Sequence, residues 1–147
     1  MTFRLANSDD MPVLLELLDM LFAIETDFTF DAEAAQRGFE LMLQDSERSA
    51  IWLAEDEGRI VGMCTGQITI STAIGARSIW VEDVIVRPEY RGQGLMPLLL
   101  GELEKWGRER GVKRLQNLCD LHNAPALSFY AKRSQQTELI CFIKLLD

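Results

Sequence analysis

The stretch that most constrains this chain covers residues 80–100, with the sequence WVEDVIVRPEYRGQGLMPLLL. A run rich in β-branched residues is followed by a proline, two glycines and an apolar segment. Proline has no N–H for a strand ladder and disfavours helical geometry in the residue before it, so a buried strand is predicted to end near Val86, just before Arg87 and Pro88. A long helix is predicted to begin around residues 92–94.

The glycine turn at the start of this helix predicts an anion site. The first N–H groups of a helix have no intrahelical acceptor, and the helix dipole favours negative charge there, so the ligand is expected to be a phosphate or pyrophosphate. A dinucleotide fingerprint would need glycine at position 97, which is Pro97, and the chain has no Gly-Lys-Ser/Thr of a triphosphate loop. Glycines that serve only the turn are the alternative interpretation.

Two motifs carry a family resemblance. Arg91-Gly92-Gln93-Gly94-Leu95, after a strand ending in Val-Arg-Pro, resembles the acetyl-CoA signature of the GNAT superfamily of N-acetyltransferases, Arg/Gln-x-x-Gly-x-Gly/Ala. Met96 departs from the last position of that signature, where a bulky side chain is expected to crowd the pyrophosphate. Asn123-x-x-Ala126-x-x-Phe129-Tyr130 resembles the second signature of the family. The Glu-Asp pair at positions 82 and 83 and the Phe-Tyr-x-Lys-Arg run also resemble the diamine (spermidine/spermine-type) acetyltransferase branch.

Length and charge limit the classes of protein. The 147 residues, 48% of them hydrophobic and 26% charged, predict a single domain over residues 1–147. The net charge of −8 argues against nucleic-acid binding and favours a cationic substrate, with acidity that only maintains solubility as the alternative. No apolar run of about 18 residues and no signal-peptide region are present, so no membrane contact and a cytoplasmic location are expected. Cys64, Cys119 and Cys141 lack metal-ligand spacing; they are interpreted as reduced core residues, and no metal is expected.

The pattern of apolar residues predicts a mixed α/β layer. The predicted order is a strand at residues 2–5, helices at about 11–22 and 31–44, strands at 50–55, 59–70 and 77–86, a helix ending near residue 110, a strand at 112–119, a helix at 123–133 and a strand at 137–146. The resemblance implies the GNAT fold, a central, mostly antiparallel twisted sheet of six to seven strands flanked by four helices. Arg133-Ser134 replaces the usual Gly-Phe of the family, so an altered turn into the last strand is expected.

The resemblance selects Glu82 as the general base and Tyr130 as the acid that protonates the CoA sulfur. On a regular strand Glu82 and Asp83 point to opposite faces, so only one of them is expected to reach a given pocket. A Glu82 carboxylate paired with Arg77 or Arg91 is the alternative. For Tyr130, the alternative is an aromatic ring packed under the sheet with its hydroxyl bonded to backbone.

The resemblance also assigns the binding residues. The expected acetyl-CoA contacts are Val84, Ile85, Val86, Arg91, Gly92, Gln93, Gly94, Leu95, Met96, Asn123 and Phe129, and the expected acceptor contacts are Glu25, Asp27, Phe28 and Phe30. Core filling is the alternative for the two phenylalanines.

The sequence therefore predicts an acetyl-CoA-dependent N-acetyltransferase. The expected acceptor is a primary amine of a small molecule, a polyamine-like compound or a peptide. A homodimer formed through C-terminal strands, as in other members of the family, is compatible with the apolar residues near the C-terminus. A non-catalytic acyl-CoA-binding sensor or interaction module is the competing prediction.

Overall fold

A computed structural model describes residues 1–25 and 27–146. Over these residues the chain forms five strands and four α-helices, in the order β1 (Thr2–Leu5), α1 (Met11–Phe22), α2 (Ala32–Gln44), β2 (Ser49–Asp56), β3 (Arg59–Ser71), β4 (Ala76–Val86), α3 (Leu95–Arg108), β5 (Val112–Asn117) and α4 (Ala124–Ala131). The strands form one sheet in the order β1-β2-β3-β4-β5, antiparallel from β1 to β4 and parallel between β4 and β5. The predicted mixed α/β class and the four helices are confirmed.

The predicted number of strands is wrong, because the sheet of the described chain has five strands rather than six to seven. Residues 137–146 form no strand. Both the N–H and the hydroxyl of Ser134 donate to the Tyr130 carbonyl, at 2.9 and 2.8 Å, so this residue closes the end of α4 instead of turning the chain into the sheet. A strand also needs a neighbour for its backbone groups, and this segment pairs with none of the five strands.

The sheet separates two apolar cores, because side chains on a strand alternate between its faces. On one face α3 packs Leu95, Leu99, Leu103 and Trp106 against the sheet. On the other face, α1 packs four leucines and α2 packs Phe39 against residues such as Leu53 and Met63. The helix starts follow the sequence: Asp31 caps α2 by accepting from the N–H groups of Glu33 and Ala34, at 3.0 and 3.1 Å.

The cysteines differ from one another in burial. Cys64 is buried in the core, whereas Cys119 is half-buried and Cys141 is exposed, so the prediction of three core cysteines is wrong for Cys141. Within residues 1–25 and 27–146 there is no group of three His, Cys, Asp or Glu side chains that could hold a metal ion. In the same part of the chain, no helix has the length and apolar character needed to cross a membrane.

Candidate active site

The candidate site lies where β4 and β5 part. Their parallel pairing stops at Val81 and Asn117, because β5 ends there while β4 continues to Val86. The N–H of Arg87 donates to the Val61 carbonyl of β3 at 2.8 Å. Since successive N–H groups of a strand point to opposite sides, the N–H of Val86 faces the open side. Beyond the last pair, one edge of β4 therefore offers main-chain hydrogen-bonding groups to a ligand.

Glu82 and Asp83 lie at a β-bulge in β4. Met63 of β3 faces Ile85 and Thr65 faces Glu82, so two steps along β3 are matched by three along β4. Asp83 has a φ of 50°, in the left-handed region that non-glycine residues seldom adopt. The prediction that Glu82 and Asp83 point to opposite faces is wrong, because the extra residue breaks the alternation and both side chains reach the same space.

Two cavities meet at these carboxylates. The first, of about 190 Å³, lies between the parted strands, with walls from the end of α1, β4, the segment after β5, and α4. The second, of about 520 Å³, lies against α2. Within the described chain, only Glu82 and Asp83 line both cavities.

The first cavity is strongly acidic. Four carboxylates line it, from Glu25, Glu82, Asp83 and Asp120, and none of its described lining residues is Lys, Arg or His. Burial raises the pKa of Glu25, and the charges of Asp83, Asp120 and Glu82 raise it further. This mutual repulsion favours a bound cation.

The pKa of Asp83 is raised to about 6, first because its half-buried side chain is poorly solvated and second because Glu82 is negatively charged. The Thr65 hydroxyl donates to Asp83 Oδ2 at 3.0 Å, and this hydrogen bond lowers the pKa of Asp83. Asp83 is therefore a carboxylate that changes its protonation state close to neutral pH.

The alternative for Glu82, a pairing with an arginine, is not found among the described residues. Arg77 donates to the Arg110 carbonyl at 3.4 Å, and Arg91 Nε donates to the Val86 carbonyl at 2.9 Å. In the described part of the chain Glu82 forms no ion pair, and its side chain is exposed at the junction of the two cavities.

The first turn of α4 and its inner face complete the first cavity. Tyr130 lines it, and burial together with nearby Cys119 and Cys64 raises the pKa of its hydroxyl to about 12, so the phenol stays protonated at neutral pH. Asn123 also lines it and caps α4 by accepting from the Ala126 N–H at 3.2 Å. Phe129 is not among the lining residues; its ring lies edge-on to Tyr130 at 5.2 Å and under Arg133.

The glycine turn leaves open space before α3. Gly92 and Gly94 have φ values of 74° and 77°, and no atom lies within 4 Å of a Cβ built on either. Gly94 is the N-cap of α3, so the free N–H groups of the first turn follow it directly. Met96 is half-buried and packs against the core that contains Leu95 and Leu99; the expected crowding of a pyrophosphate by its side chain stays a prediction.

The other predicted acetyl-CoA contacts differ in burial and in the elements that they pack against. Ile85 and Leu95 are buried in the two cores, and Val84 is half-buried beside the first cavity. Gln93 is exposed, and its amide donates to the Glu89 carbonyl at 3.0 Å.

Two of the four predicted acceptor contacts lie at the cavity. Glu25 and Phe28 line it, and the Phe28 ring stacks on Phe22 with centroids 5.4 Å apart. Phe30 instead packs against the core formed by α1 and α2, as the core-filling alternative predicts. Asp27 is exposed and is not among the lining residues.

Several lining residues were not predicted as site residues. Asn117, Cys119 and Asp120 stand at or just after the end of β5, and Trp80 lies on β4 close to the point where the strands part. A usable signal was present in the sequence, since the carboxyl ends of neighbouring parallel strands meet at one edge of a sheet.

The positive φ at Gly94 gives a testable prediction. Gly94→Ala is expected to weaken acetyl-CoA binding about tenfold, because a left-handed non-glycine residue costs about 1–2 kcal/mol and the turn relaxes by moving its N–H groups. Calorimetric titration measures the change. Gly101→Ala is the matched control, since Gly101 is exposed within α3 with no atom within 4 Å of a built Cβ. Equal affinity of the two variants would contradict a role for the turn in binding.

Comparison with known proteins agrees with this geometry. The sequence profile described as "Acetyltransferase (GNAT) family" matches residues 17–134. A streptothricin acetyltransferase of Escherichia coli is 25% identical over 112 residues, which cover 70% of this chain and 64% of that protein. An uncharacterized N-acetyltransferase of Methanocaldococcus jannaschii is 20% identical over 132 residues, which cover 89% of this chain and 58% of the relative. The chain thus spans roughly three fifths of the length of both relatives.

A solved structure shares the fold. The crystal structure of a predicted acetyltransferase from Clostridium acetobutylicum, determined with acetyl-CoA, superposes with a TM-score of 0.79 at 18% identity and covers 97% of this chain and 95% of that one. The profile match places the chain in a class of acetyltransferase domains, and the solved structure has the same fold. The chain belongs to the acetyltransferase (GNAT) family, whose members use acetyl-CoA as the acetyl donor.

Proposed function

We propose that this protein transfers an acetyl group from acetyl-CoA to a primary amine of a small, polyamine-like acceptor that carries more than one positive charge. The observation that supports this acceptor is the cavity with four carboxylates and no cationic side chain among its described lining residues. Each additional ammonium group on the acceptor would meet a further carboxylate in a partly dry site, where charge attraction is stronger than in water. The resemblance to diamine acetyltransferases points to the same class of acceptor.

The residues of the chain fit acetyl-CoA as the donor. The N–H groups at the start of α3 and the open turn at Gly92 and Gly94 suit a pyrophosphate. The open edge of β4 suits the amide-bearing pantetheine arm, and the N–H groups of Val84 and Val86 are proposed to polarise the acetyl carbonyl. Bound acetyl-CoA supplies the acetyl group as a thioester. Asn123 at the cavity wall is proposed to contact the same arm.

Transfer requires two proton movements. The acceptor nitrogen has to lose a proton before it can attack, and a carboxylate at the junction of the two cavities is proposed to accept it. Tyr130 is proposed to donate its phenolic proton to the departing sulfur. The assignment of Glu82 as the base stays a prediction from the resemblance.

A matched pair of amines tests the acceptor class. Thiol release from acetyl-CoA, followed with a chromogenic disulfide, is expected to give a kcat/KM at least about tenfold higher for 1,4-diaminobutane than for butylamine, because the two differ by one ammonium group. The ratio is expected to shrink at about 0.5 M NaCl, where charges are screened. Equal kcat/KM values would contradict a multiply charged acceptor. Binding of acetyl-CoA without thiol release over a wider panel of amines would favour the non-catalytic acyl-CoA-binding module.

The remaining predictions concern the surroundings of the protein. The single domain and the cytoplasmic location stay predictions. A homodimer is proposed on the basis of the C-terminal segment, where the large apolar side chains of residues 139, 140, 142, 143, 145 and 146 are between 67% and 89% exposed. An apolar surface of this kind favours association with another chain.

A further inference from the structure

Asp83 is the carboxylate that the sequence-based choice of a base left out. We infer that Asp83, and not Glu82, removes the proton from the acceptor amine, while Glu82 binds the incoming ammonium where the two cavities meet. This inference rests on the proposed function, because it assigns roles within the same site.

The backbone at Asp83 is held in a strained conformation. Its φ of 50° lies in the left-handed region, which is unfavourable for a non-glycine residue, and such strain persists only where the surrounding structure imposes it. Here the pairs Met63–Ile85 and Thr65–Glu82 fix the strand on either side of the bulge. The bulge turns the Asp83 carboxylate to the side of the two cavities.

Thr65 fixes one oxygen of the carboxylate. Its hydroxyl is on a side chain that is only 1% exposed, and it donates to Asp83 Oδ2 at 3.0 Å. In the part of the chain that the structure describes, no hydrogen bond reaches Oδ1. A carboxylate oriented through one oxygen and open at the other is arranged to accept a proton from a ligand.

Glu82 has different surroundings. Its side chain is exposed, and it has neither a hydrogen bond nor an ion pair within the described residues, whereas Asp83 is half-buried and anchored by Thr65. A solvated carboxylate that borders both cavities is suited to attract and hold a cation. The more enclosed Asp83 is suited to proton transfer, because burial favours the neutral form that it reaches after accepting the proton.

The groups that face Asp83 leave it without a competing cation. From β3, Thr65 donates to it, and the buried thiol of Cys64 is close enough for its pKa to be raised by the charge of Asp83. The other titratable groups that line the two cavities are Glu82, Glu25, Asp120, Cys119, Tyr130 and Asp45. The pKa of Asp83 is raised to about 6 by burial and by Glu82, so Asp83 is ionised above about pH 6 and can accept a proton there.

The proton balance closes with these groups. An acceptor ammonium gives one proton to Asp83, and the freed lone pair of nitrogen forms the new C–N bond. The C–S bond breaks with its electron pair remaining on sulfur, which takes a proton from Tyr130. The new amide loses its second N–H proton, and this proton restores Tyr130 through solvent; Asp83 then releases its own proton to water.

The test compares kcat/KM between pH 5 and 9 for the wild-type protein, Asp83→Asn and Glu82→Gln. Asparagine tolerates a positive φ and still accepts from Thr65, so the bulge is preserved. The wild type is expected to lose activity below about pH 6. The kcat/KM of Asp83→Asn is expected to be about a hundredfold lower at pH 7.5, since a positioned base contributes about 10²–10⁴-fold. This variant is also expected to lose the acid limb, that is, the fall in kcat/KM below about pH 6. Glu82→Gln is expected to keep the limb, moved to lower pH because the charge that raises the pKa of Asp83 is gone, and to raise the KM for the amine.

Thr65→Val supplies a readout that a purely structural role would not move. Without the hydroxyl the pKa of Asp83 rises, so the acid limb is expected to shift to higher pH. The inference is overturned if the acid limb disappears in Glu82→Gln but remains in Asp83→Asn, or if it does not move in Thr65→Val. Neither result contradicts the proposed function. If the wild type transfers acetyl to none of the amines, both are overturned.

Discussion

Replacing Tyr130 by phenylalanine is expected to lower turnover at least about tenfold, with little change in the affinity for acetyl-CoA. The hydroxyl acts only when the sulfur departs, so its loss affects the transition state and not the ground state. Burial raises its pKa to about 12, which keeps the proton on the phenol at neutral pH. The phenylalanine ring can keep the edge-on contact with Phe129. Steady-state kinetics and calorimetry separate the two effects.

The second tyrosine of the chain is the matched control. The Tyr90 hydroxyl bonds Asp56 at 3.1 Å, and Tyr90 does not line the first cavity. Tyr90→Phe is therefore expected to keep wild-type turnover. If Tyr130→Phe and Tyr90→Phe both matched the wild type, the phenol of Tyr130 would have no part in the reaction.

At pH 8, Asp83→Asn is expected to raise the free energy of unfolding by about 1–3 kcal/mol over the wild type. The folded-state pKa of Asp83 lies at about 6, above the ordinary value of 3.8. Between these values the native state binds more protons than the unfolded state, so this carboxylate lowers stability as the pH rises from about 4 to 6. Above about pH 6 the carboxylate is ionised and the loss in the free energy of unfolding reaches its full size. Asparagine carries no charge and therefore avoids this loss.

Urea unfolding at pH 8 and at pH 4 measures this effect. The difference between wild type and Asp83→Asn is expected to approach zero at pH 4, where the native carboxyl is protonated. Glu82→Gln is expected to raise stability at pH 8 by less than Asp83→Asn, because its own side chain is exposed and its charge acts only through the raised pKa of its neighbours. A difference that is the same at both pH values would mean that the substitution acts through packing. A more stable but less active Asp83→Asn variant would show that the site trades stability for chemistry.

Local chemistry made much of the fold predictable from the sequence. Proline and glycine restrict the backbone regardless of the rest of the chain, so the end of β4, the turn and the start of α3 at Leu95 could be located. The same holds for the Asp31 cap of α2 and for the hairpin at Gly58, where φ is 81°. The motif residue Tyr130 lies on the wall of the first cavity, and its role there stays a prediction.

Contacts between residues far apart in the sequence decided the features that could not be predicted. The bulge that brings Asp83 to the same side as Glu82 depends on how β4 pairs with Thr65 of β3, and the cleft depends on β5 ending at Asn117. Neither pairing can be predicted from the local sequence, because the hydrogen bonds between strands depend on two separate segments of the chain. The sequence by itself determined the turn before α3 and the family to which the chain belongs. Only the tertiary structure decided which carboxylates share the cavity and that residues 137–146 do not join the sheet, since both depend on which strands find a partner.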